Sequence, residues 1–397
     1  DRLALDGYNY VHGWVTSFEM AAEGVIHAAA ELNIAFDEKA ARKLFAKRGI
    51  LADQSVQAMA RAGDVVLAGA DAGLMRSDIK GQDDSWEDWD DVPGQGEQRL
   101  TDVVALAVDG GIFYAATEVG IYRRASSDTN GGWAQVGTWP ADQTPYCMAI
   151  AGGKIYVGTG HGVWFCEIAG GAAEWAVFEC PDSQAGVKCS ECSGSSTCAC
   201  NFLALDQALG AVPSLNTDVL YTCRYDAIGY REAQPLNLTC ADWLRQTIKD
   251  GSGEQAAVVS TTAQEPDTFY VGTLAHGIWE GVWEQNTLAG LTRLDSQKEL
   301  GQRAILALAL QDGRIIAGTT AGLYVGAADG GNVWTWKRRP GGGFPEKATV
   351  IRVLPIGDDV ILASTATNGL WRLRNWVDDQ NYVWEKVAGV ESLDGTG

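Results

Sequence analysis

The sequence predicts an all-β fold, a seven-bladed β-propeller of four-stranded antiparallel blades, with a short α-helical segment before it. A phrase made of a strand-type run, a small-residue break and a turn residue, usually Gly, before an apolar residue recurs seven times in 397 residues. Its period lies in the forties, which is typical of folds whose small sheets bury their faces only against neighbours. Gly (48 residues) and Trp (15 residues) are abundant, as many hairpins and stacked aromatic side chains require.

The phrase predicts the second and third strands of each blade and the tight turn between them. Its copies are VVLAGADAGLM (65–75), IFYAATEVGIY (112–122), IYVGTGHGVW (155–164), VLYTCRYDAIG (219–229), FYVGTLAHGIW (269–279), IIAGTTAGLY (315–324) and VILASTATNGLW (360–371). Gly favours such turns because it adopts positive φ at little cost. One interval between copies is longer than the others, and a cysteine-rich insertion at about 180–200, between blades 3 and 4, accounts for it.

Segments on either side of the phrase predict the first and fourth strands. An alternating apolar segment precedes it, as in VVALAV (103–108) and VIRVLPI (350–356). The fourth strand usually carries a Trp, and these residues are Trp89, Trp133, Trp175, Trp243, Trp336 and Trp384. A linear β-solenoid would need shorter units and atypical capping repeats, which the sequence lacks. Residues 58–397 are therefore predicted to form the propeller.

Residues 1–57 lack the repeat and are predicted to be helical. Ser17 and Asp37 are suitable N-cap residues, and Gly49 is a suitable residue after a helix end. The segment is either a flank packed on the propeller or a docking arm for another subunit. The docking arm would use four apolar side chains, Phe18, Val25, Leu44 and Phe45. No apolar run reaches the roughly 18 residues of a membrane span, and a chain that begins at Asp1 is expected to have been processed or trimmed.

All nine cysteines lie between Cys147 and Cys240, and their clustering bears on the compartment. The cluster comprises Cys180, Cys189, Cys192, Cys198, Cys200, Cys223 and Cys240. Disulfides would staple an insertion rich in Gly and Ser. The alternative is a structural zinc site, for which a Cys-x-Cys pair is unusual. The disulfide interpretation predicts an oxidising location, secreted, periplasmic or at the cell surface. Nine is odd, and Cys166, in a predicted strand, is a candidate for simple burial.

The formal net charge of −21 bears on partners and metals. Nucleic acid is excluded as an expected partner because phosphate binding needs concentrated Lys and Arg. The densest acidic run is DDSWEDWDD (83–91), which is either a solvated turn or a calcium site. The calcium ligands would be Asp83, Asp84, Glu87 and Asp88.

The repeating unit resembles the propellers of the Asp-box (BNR) superfamily, which includes sialidase-like propellers. SSDTNGGW (126–133) is similar to an Asp-box, with Asn130 standing where the family has Gly. The matching residues are Ser126, Asp128, Gly131 and Trp133. GAADGGNVW (326–334) is a second, more distant match. The resemblance implies a propeller with degenerate repeats and Asp-boxes that are structural rather than catalytic.

No catalytic constellation can be assembled from the sequence. A sialidase-like hydrolase would need an arginine triad, a Tyr-Glu pair and an acid Asp, and the Arg-Ile-Pro motif of that family is missing. The four histidines, His12, His27, His161 and His276, are too few for a copper or quinone propeller. We therefore predict a protein that is not an enzyme and needs no cofactor.

The function predicted is that of a structural or protein-interaction module in a larger extracellular or surface assembly, with other protein subunits as partners. Its binding face would be formed by the turns between second and third strands, with Asp71, Glu118, His161, Asp226, His276 and Asn368. The alternative is a glycan-binding or sialidase-like propeller. That alternative would need exposed Trp residues outside the repeat, which are Trp14, Trp139, Trp283 and Trp376.

Overall fold

The computed structural model describes most of the chain that carries the repeat. The described residues are 56–70, 73–78, 86–89, 100–128, 131–141, 143–159, 162–168, 174–177, 209–213, 218–224, 227–232, 244–246, 258–265, 268–284, 287–294, 300–301, 303–329 and 333–387. The predicted helical segment, apart from residues 56 and 57, lies outside them, as do Phe18, Val25, Leu44 and Phe45. The insertion at 180–200 also lies outside them. Of the clustered cysteines, Cys223 alone falls within a described strand, and its side chain is not described.

The described strands form seven four-stranded antiparallel sheets, each from four consecutive strands, which we number as blades 1 to 7. Blade 1 contains β1 (Ala58–Ala62), β2 (Val65–Ala70), β3 (Gly73–Asp78) and β4 (Trp86–Asp88), and blade 2 contains β5 (Val103–Asp109), β6 (Ile112–Thr117), β7 (Gly120–Ala125) and β8 (Ala134–Gln135). Blade 3 contains β9 (Pro145–Ala151), β10 (Lys154–Thr159), β11 (Gly162–Glu167) and β12 (Ala176–Val177), and blade 4 contains β13 (Leu209–Pro213), β14 (Asp218–Arg224), β15 (Ala227–Glu232) and β16 (Leu244–Gln246). Blades 5 to 7 contain β17 (Val258–Glu265), β18 (Thr268–Thr273), β19 (Ile278–Glu284), β20 (Thr287–Arg293); β21 (Ile305–Gln311), β22 (Arg314–Thr319), β23 (Gly322–Ala328), β24 (Trp334–Arg338); and β25 (Val350–Gly357), β26 (Val360–Thr365), β27 (Leu370–Arg374), β28 (Val383–Lys386).

The blades are arranged side by side around their first strands. Each first strand contacts the first strand of the next blade, and β25 of blade 7 contacts β1 of blade 1. Radial packing of this kind is that of a β-propeller. The predicted propeller fold is therefore confirmed, and no helix occurs in the part of the chain that the structure describes.

The turns between first and second strands use residues that tolerate positive φ. In blade 2 these are Gly110 (φ 54°) and Gly111 (φ 80°), and in blade 6 they are Asp312 (φ 51°) and Gly313 (φ 67°). Two successive residues with positive φ match the twist of a hairpin in a two-residue turn. The sequence therefore connects these strands tightly and sets their antiparallel register.

The hydrophobic core lies between blades rather than inside any one of them. The described core clusters join blade 1 to 2, 2 to 3, 5 to 6, 6 to 7 and 7 to 1. The cluster between blades 7 and 1 packs Val66 and Met75 against Ile356 and Leu362. A single blade could not bury these side chains alone, which explains why the repeat needs neighbours on both sides.

Three of the Trp residues associated with the fourth strands connect their blade to the one before it. The indole nitrogen of Trp133 donates to the Trp89 carbonyl of blade 1 (2.5 Å), and that of Trp384 donates to the Arg339 carbonyl of blade 6 (3.0 Å). Trp175 donates likewise to the Val136 carbonyl of blade 2 (2.7 Å). Each of these Trp residues thus fills the space between blades and satisfies a backbone acceptor there.

A hydrogen bond joins the two ends of the repeat. The backbone N–H of Val56, which precedes blade 1, donates to the Ser364 hydroxyl of blade 7 (3.1 Å), and both residues are fully buried. Ser364 lies next to the end of β26, and the equivalent residue of blade 2 is Ala116. We call the junction of blades 7 and 1 the seam.

Replacing Ser364 with alanine is expected to lower the free energy of unfolding by about 1–3 kcal/mol, because the buried Val56 N–H loses its acceptor. Urea denaturation of the full chain measures the change. Val377→Ala, at a residue that is 41% exposed, is the control and should change stability by less than about 0.5 kcal/mol. Equal effects of the two substitutions would contradict the role of Ser364 at the seam.

Candidate functional site

The turns between second and third strands lie at the same end of the propeller as the segments that lead into the first strands. The backbone N–H of Ala366, in the blade 7 turn, donates to the carbonyl of Thr349 (2.9 Å), which precedes β25. The N–H of Thr320, in the blade 6 turn, donates to the carbonyl of Ala304 (3.2 Å), which precedes β21. We call this end the turn face. Its loops hold one another in place.

In blades 2, 5, 6 and 7, a buried threonine at the end of the second strand holds the turn that follows it. The Thr365 hydroxyl donates to the Gly369 carbonyl (2.8 Å) and accepts from the Asn368 N–H (3.0 Å). The Thr273 hydroxyl bonds in the same way to the Gly277 carbonyl (2.7 Å) and the His276 N–H. Thr117 and Thr319 make the corresponding pairs in blades 2 and 6. Our sequence interpretation explained the turn glycine and missed the threonine, although the threonine recurs in the same phrase.

The turn aromatics add a second connection. The indole nitrogen of Trp279 donates to the His276 carbonyl (3.1 Å), and that of Trp371 donates to the Asn368 carbonyl (3.0 Å). The sequence predicted these aromatic residues as packing between sheets. They also donate hydrogen bonds to the turn backbone, and these bonds restrain the turns of blades 5 and 7.

Replacing Thr365 with valine is expected to cost about 1–2 kcal/mol, because the shape is kept while the Asn368 N–H loses its acceptor and the Gly369 carbonyl keeps only the Thr365 N–H. The turn should open more often, and amide hydrogen exchange at Asn368 should become faster. Thr367→Val, in the same turn at an exposed residue, is the matched control. Unchanged exchange at Asn368 in Thr365→Val would contradict this account of the turn.

Three residues of the predicted binding face are described, and all three lie in these turns. Glu118 is exposed, whereas His276 and Asn368 are partly exposed. Beside Glu118, the apolar side chain of Val119 is 65% exposed, the largest exposure among the large hydrophobic residues that the structure describes. Asp71, His161 and Asp226 lie outside the described residues, between the described second and third strands of blades 1, 3 and 4.

The opposite end of the propeller carries carboxylates. The turns between first and second strands present Asp109, Asp312, Asp358 and Asp359, all exposed. They belong to blades 2, 6 and 7, so the negative charge is distributed around that end. Arg61 of blade 1 is exposed near the same end, and Glu118 is exposed on the turn face, so acidic side chains occur at both ends.

The structure describes the side chains of two of the four Trp residues that a glycan site would use. Trp139 is 5% exposed, and its indole nitrogen donates to the Gln143 carbonyl (2.6 Å); Trp376 is fully buried. Neither can stack on a sugar. Trp14 lies outside the described residues, and Trp283 lies in β19 with a side chain that is not described. A glycan site could thus not use Trp139 or Trp376.

Metal-binding candidates are only partly covered by the structure. Within the described residues, no group of three or more His, Cys, Asp or Glu side chains is placed to hold a metal ion. Asp83 and Asp84 lie outside the described residues, and Glu87 and Asp88 lie in β4 with side chains that are not described. Cys166 is fully buried in β11, as predicted, and burial raises the pKa of its thiol.

No helix of the described part is long and apolar enough to cross a membrane.

Loops between third and fourth strands contain turns closed by an aspartate. Asp128 accepts from the Gly131 N–H (2.6 Å) through its carboxylate, and Asp329 accepts from the Val333 N–H (2.9 Å). In blade 7, Asp378 accepts from the N–H groups of Gln380 and Asn381 and from the Asn381 side chain, and these hydrogen bonds lower the pKa of Asp378. The two stretches that resemble Asp-boxes are thus structural turns, and blade 7 has a similar turn that the sequence comparison missed.

Comparison with solved structures places the chain among β-propellers. The extracellular domain of the hybrid two-component system BT4673 from B. thetaiotaomicron matches with a TM-score of 0.56 at 14% identity, over 81% of this chain and 39% of that domain. YCF48 from Cyanidioschyzon merolae matches with a TM-score of 0.56 at 13% identity, over 80% of this chain and 94% of YCF48. The WD40 β-propeller domain of Doa1 matches with a TM-score of 0.52 at 11% identity, over 82% and 95%.

These identities establish the fold alone. The chain spans 39% of the length of the BT4673 domain. A further similar structure is YCF48 bound to a D1 peptide, with a TM-score of 0.54 at 14% identity, over 82% of this chain and 94% of that one. No protein-family model matches the sequence, and no curated protein matches it.

Proposed function

We propose that this chain is a closed seven-bladed propeller that binds a protein partner on its turn face. It acts as a non-enzymatic interaction module within an extracytoplasmic assembly. The observation that carries the proposal is the turn face itself, where recurring buried threonines and indole N–H groups hold the turn backbone while side chains such as Val119 project outward.

The blade count rests on how the ring closes. Seven first strands contact one another in chain order, and β25 returns to β1. The Val56 hydrogen bond to Ser364 and the apolar cluster across the seam support closure without a further blade. A closed ring also protects strand edges from pairing with other chains.

A rigid platform suits protein recognition. Turns that are already ordered lose little conformational freedom on binding, so more of the contact free energy contributes to affinity. Propellers of the same fold include YCF48 bound to a D1 peptide, so the fold is able to bind a peptide. We infer the same class of ligand here, on the turn face of this chain.

The proposed extracytoplasmic location rests on the cysteine cluster. Disulfides in the 180–200 insertion would require an oxidising compartment, and one similar structure is an extracellular domain.

Membership of the Asp-box superfamily is part of the proposal, supported by the aspartate turns at Asp128 and Asp329.

Site-specific photo-crosslinking in the source cells tests the proposal. A benzoylphenylalanine is placed at Val119, on the turn face, and in a separate variant at Val383, which is 48% exposed on the fourth strand of blade 7. We expect a protein adduct from position 119 and not from position 383. An adduct from position 383 alone would contradict the proposed binding face.

A further inference from the structure

An arginine occupies a position on the innermost strands where five of the other six blades have small residues. Arg352 lies near the start of β25 and pairs with Ser364 of β26. The equivalent first-strand residues of five other blades are Ala58, Ala105, Cys147, Ser260 and Ala307. None of these is larger than cysteine, so the arginine side chain lies at a level of the propeller that is otherwise lined by small residues.

Arg352 lies on the seam side of blade 7, close to the turn face. Leu354, two residues further along β25, packs in the cluster shared by blades 7 and 1, whereas Val353 packs in the cluster shared by blades 6 and 7. Because side chains alternate along a strand, Arg352 is directed to the blade 1 side with Leu354. Thr349, three residues earlier, contacts the turn face. Because the first strands of a propeller line its central channel, Arg352 lies near the end of that channel on the turn face, which we call the channel mouth.

The Arg352 side chain is surrounded by protein but not sealed from solvent. Protein encloses the side chain, yet it stays partly exposed to solvent. Desolvation lowers the pKa of its guanidinium to about 10, so the group is still charged at neutral pH. Desolvation causes this shift, and among the residues that the structure describes no neighbouring charge offsets it.

Arg352 differs from the other enclosed arginines of blades 6 and 7 in its partners. Arg339 pairs with Asp379 (2.8 Å), and Arg372 and Arg374 share Glu385 (3.5 and 2.9 Å). The Nη1 of Arg352 donates to the Ile351 carbonyl (2.7 Å), and no carboxylate pairs with it among the residues that the structure describes. Its other guanidinium donors therefore remain for a ligand.

We propose that Arg352 binds a single carboxylate carried by a peptide that enters the channel mouth from the turn face. A guanidinium presents a planar pair of donors that matches a carboxylate. The one cation at this level of the described first strands suits a monoanion, and the small residues around it leave room for the chain that carries it. This inference rests on the proposed function and names the group that the turn face recognises.

The test is calorimetric titration of the full chain with three N-acetylated peptides. They are acetyl-Ala-Ala-Ala as the free acid, the same peptide as its amide, and acetyl-Ala-Asp-Ala amide. The free acid and the Asp peptide distinguish a C-terminal carboxylate from a side-chain carboxylate. We expect at least one of them to bind about tenfold or more tightly than the neutral amide, as a charge-assisted hydrogen bond predicts.

Variants assign the binding to the arginine. Arg352→Gln should abolish the preference for a carboxylate, and Arg352→Lys should keep part of it. Arg374→Gln, which removes an arginine partnered by Glu385 in the same blade, is the control and should keep the preference. Urea midpoints close to that of the unaltered chain would verify folding of each variant.

Three results would overturn the inference: equal binding of acid and amide, no binding of either carboxylate peptide, or full carboxylate preference in Arg352→Gln. The crosslink at Val119 separates this inference from the proposed function. A crosslink without carboxylate preference leaves the turn face as the binding surface and removes Arg352 from it. The absence of a crosslink removes the turn face itself.

Discussion

Replacing Trp384 with alanine is expected to lower the free energy of unfolding by about 3–5 kcal/mol. Trp384 is 4% exposed, its ring stacks on Phe344 with centroids 4.1 Å apart, and its indole nitrogen donates to the Arg339 carbonyl of blade 6. Truncation would leave a cavity between blades 6 and 7 and a carbonyl without its donor. Guanidinium denaturation of the full chain, followed by tryptophan fluorescence and by circular dichroism, measures the loss.

Two further variants separate packing from hydrogen bonding at this residue. Trp384→Phe keeps most of the ring contact with Phe344 and should lose about 1–2 kcal/mol. Val383→Ala, at the preceding residue, which is 48% exposed, should stay within about 0.5 kcal/mol. A loss for Trp384→Ala no larger than that for Val383→Ala would contradict the role of the Trp in joining blades.

Adding one methyl group at Gly318 is expected to destabilise the chain by about 1–3 kcal/mol. Gly318 lies in β22 of blade 6, against blade 7. A Cβ there would lie 2.8 Å from the Val350 Cγ1 and 2.9 Å from the Val350 carbonyl oxygen, closer than real contacts allow. Because one of those atoms is backbone, a side-chain rotation cannot relieve the overlap, and blades 6 and 7 must separate slightly.

Gly357→Ala is the matched control for Gly318→Ala. A Cβ at Gly357 meets no atom within 4 Å, and Gly357 is not among the residues with positive φ. Its substitution should leave stability unchanged within about 0.5 kcal/mol. Calorimetric melting of both variants compares them, and equal melting temperatures would contradict tight contact between neighbouring blades at Gly318.

Much of the fold followed from local chemistry that the sequence displays directly. Strand alternation and turn residues recur with the blade period, so β5 and β25 fall where VVALAV and VIRVLPI predict them. The turn glycines pair in register with the ends of the second strands, as Gly120 does with Thr117. Such features depend on neighbours in the chain, and a single sequence suffices to find them.

The details that join blades depend on residues far apart in the chain and could not be read from it. The acceptor of the Trp384 indole lies 45 residues away, and that of the Val56 N–H lies 308 residues away. Arg352 looked like one polar residue in an apolar strand until the register placed it among small residues. The turn threonines were visible in the repeat, and their meaning emerged only with the hydrogen bonds to Gly277 and Gly369.

The measurement that most directly tests the account is a cryo-electron microscopy map of the protein in its native, unreduced assembly. The account predicts seven blades around a closed ring, with density from a partner on the turn face above Val119, Asn368 and the channel mouth at Arg352. Partner density confined to the opposite end or to the outer strands, with the turn face bare, would contradict it.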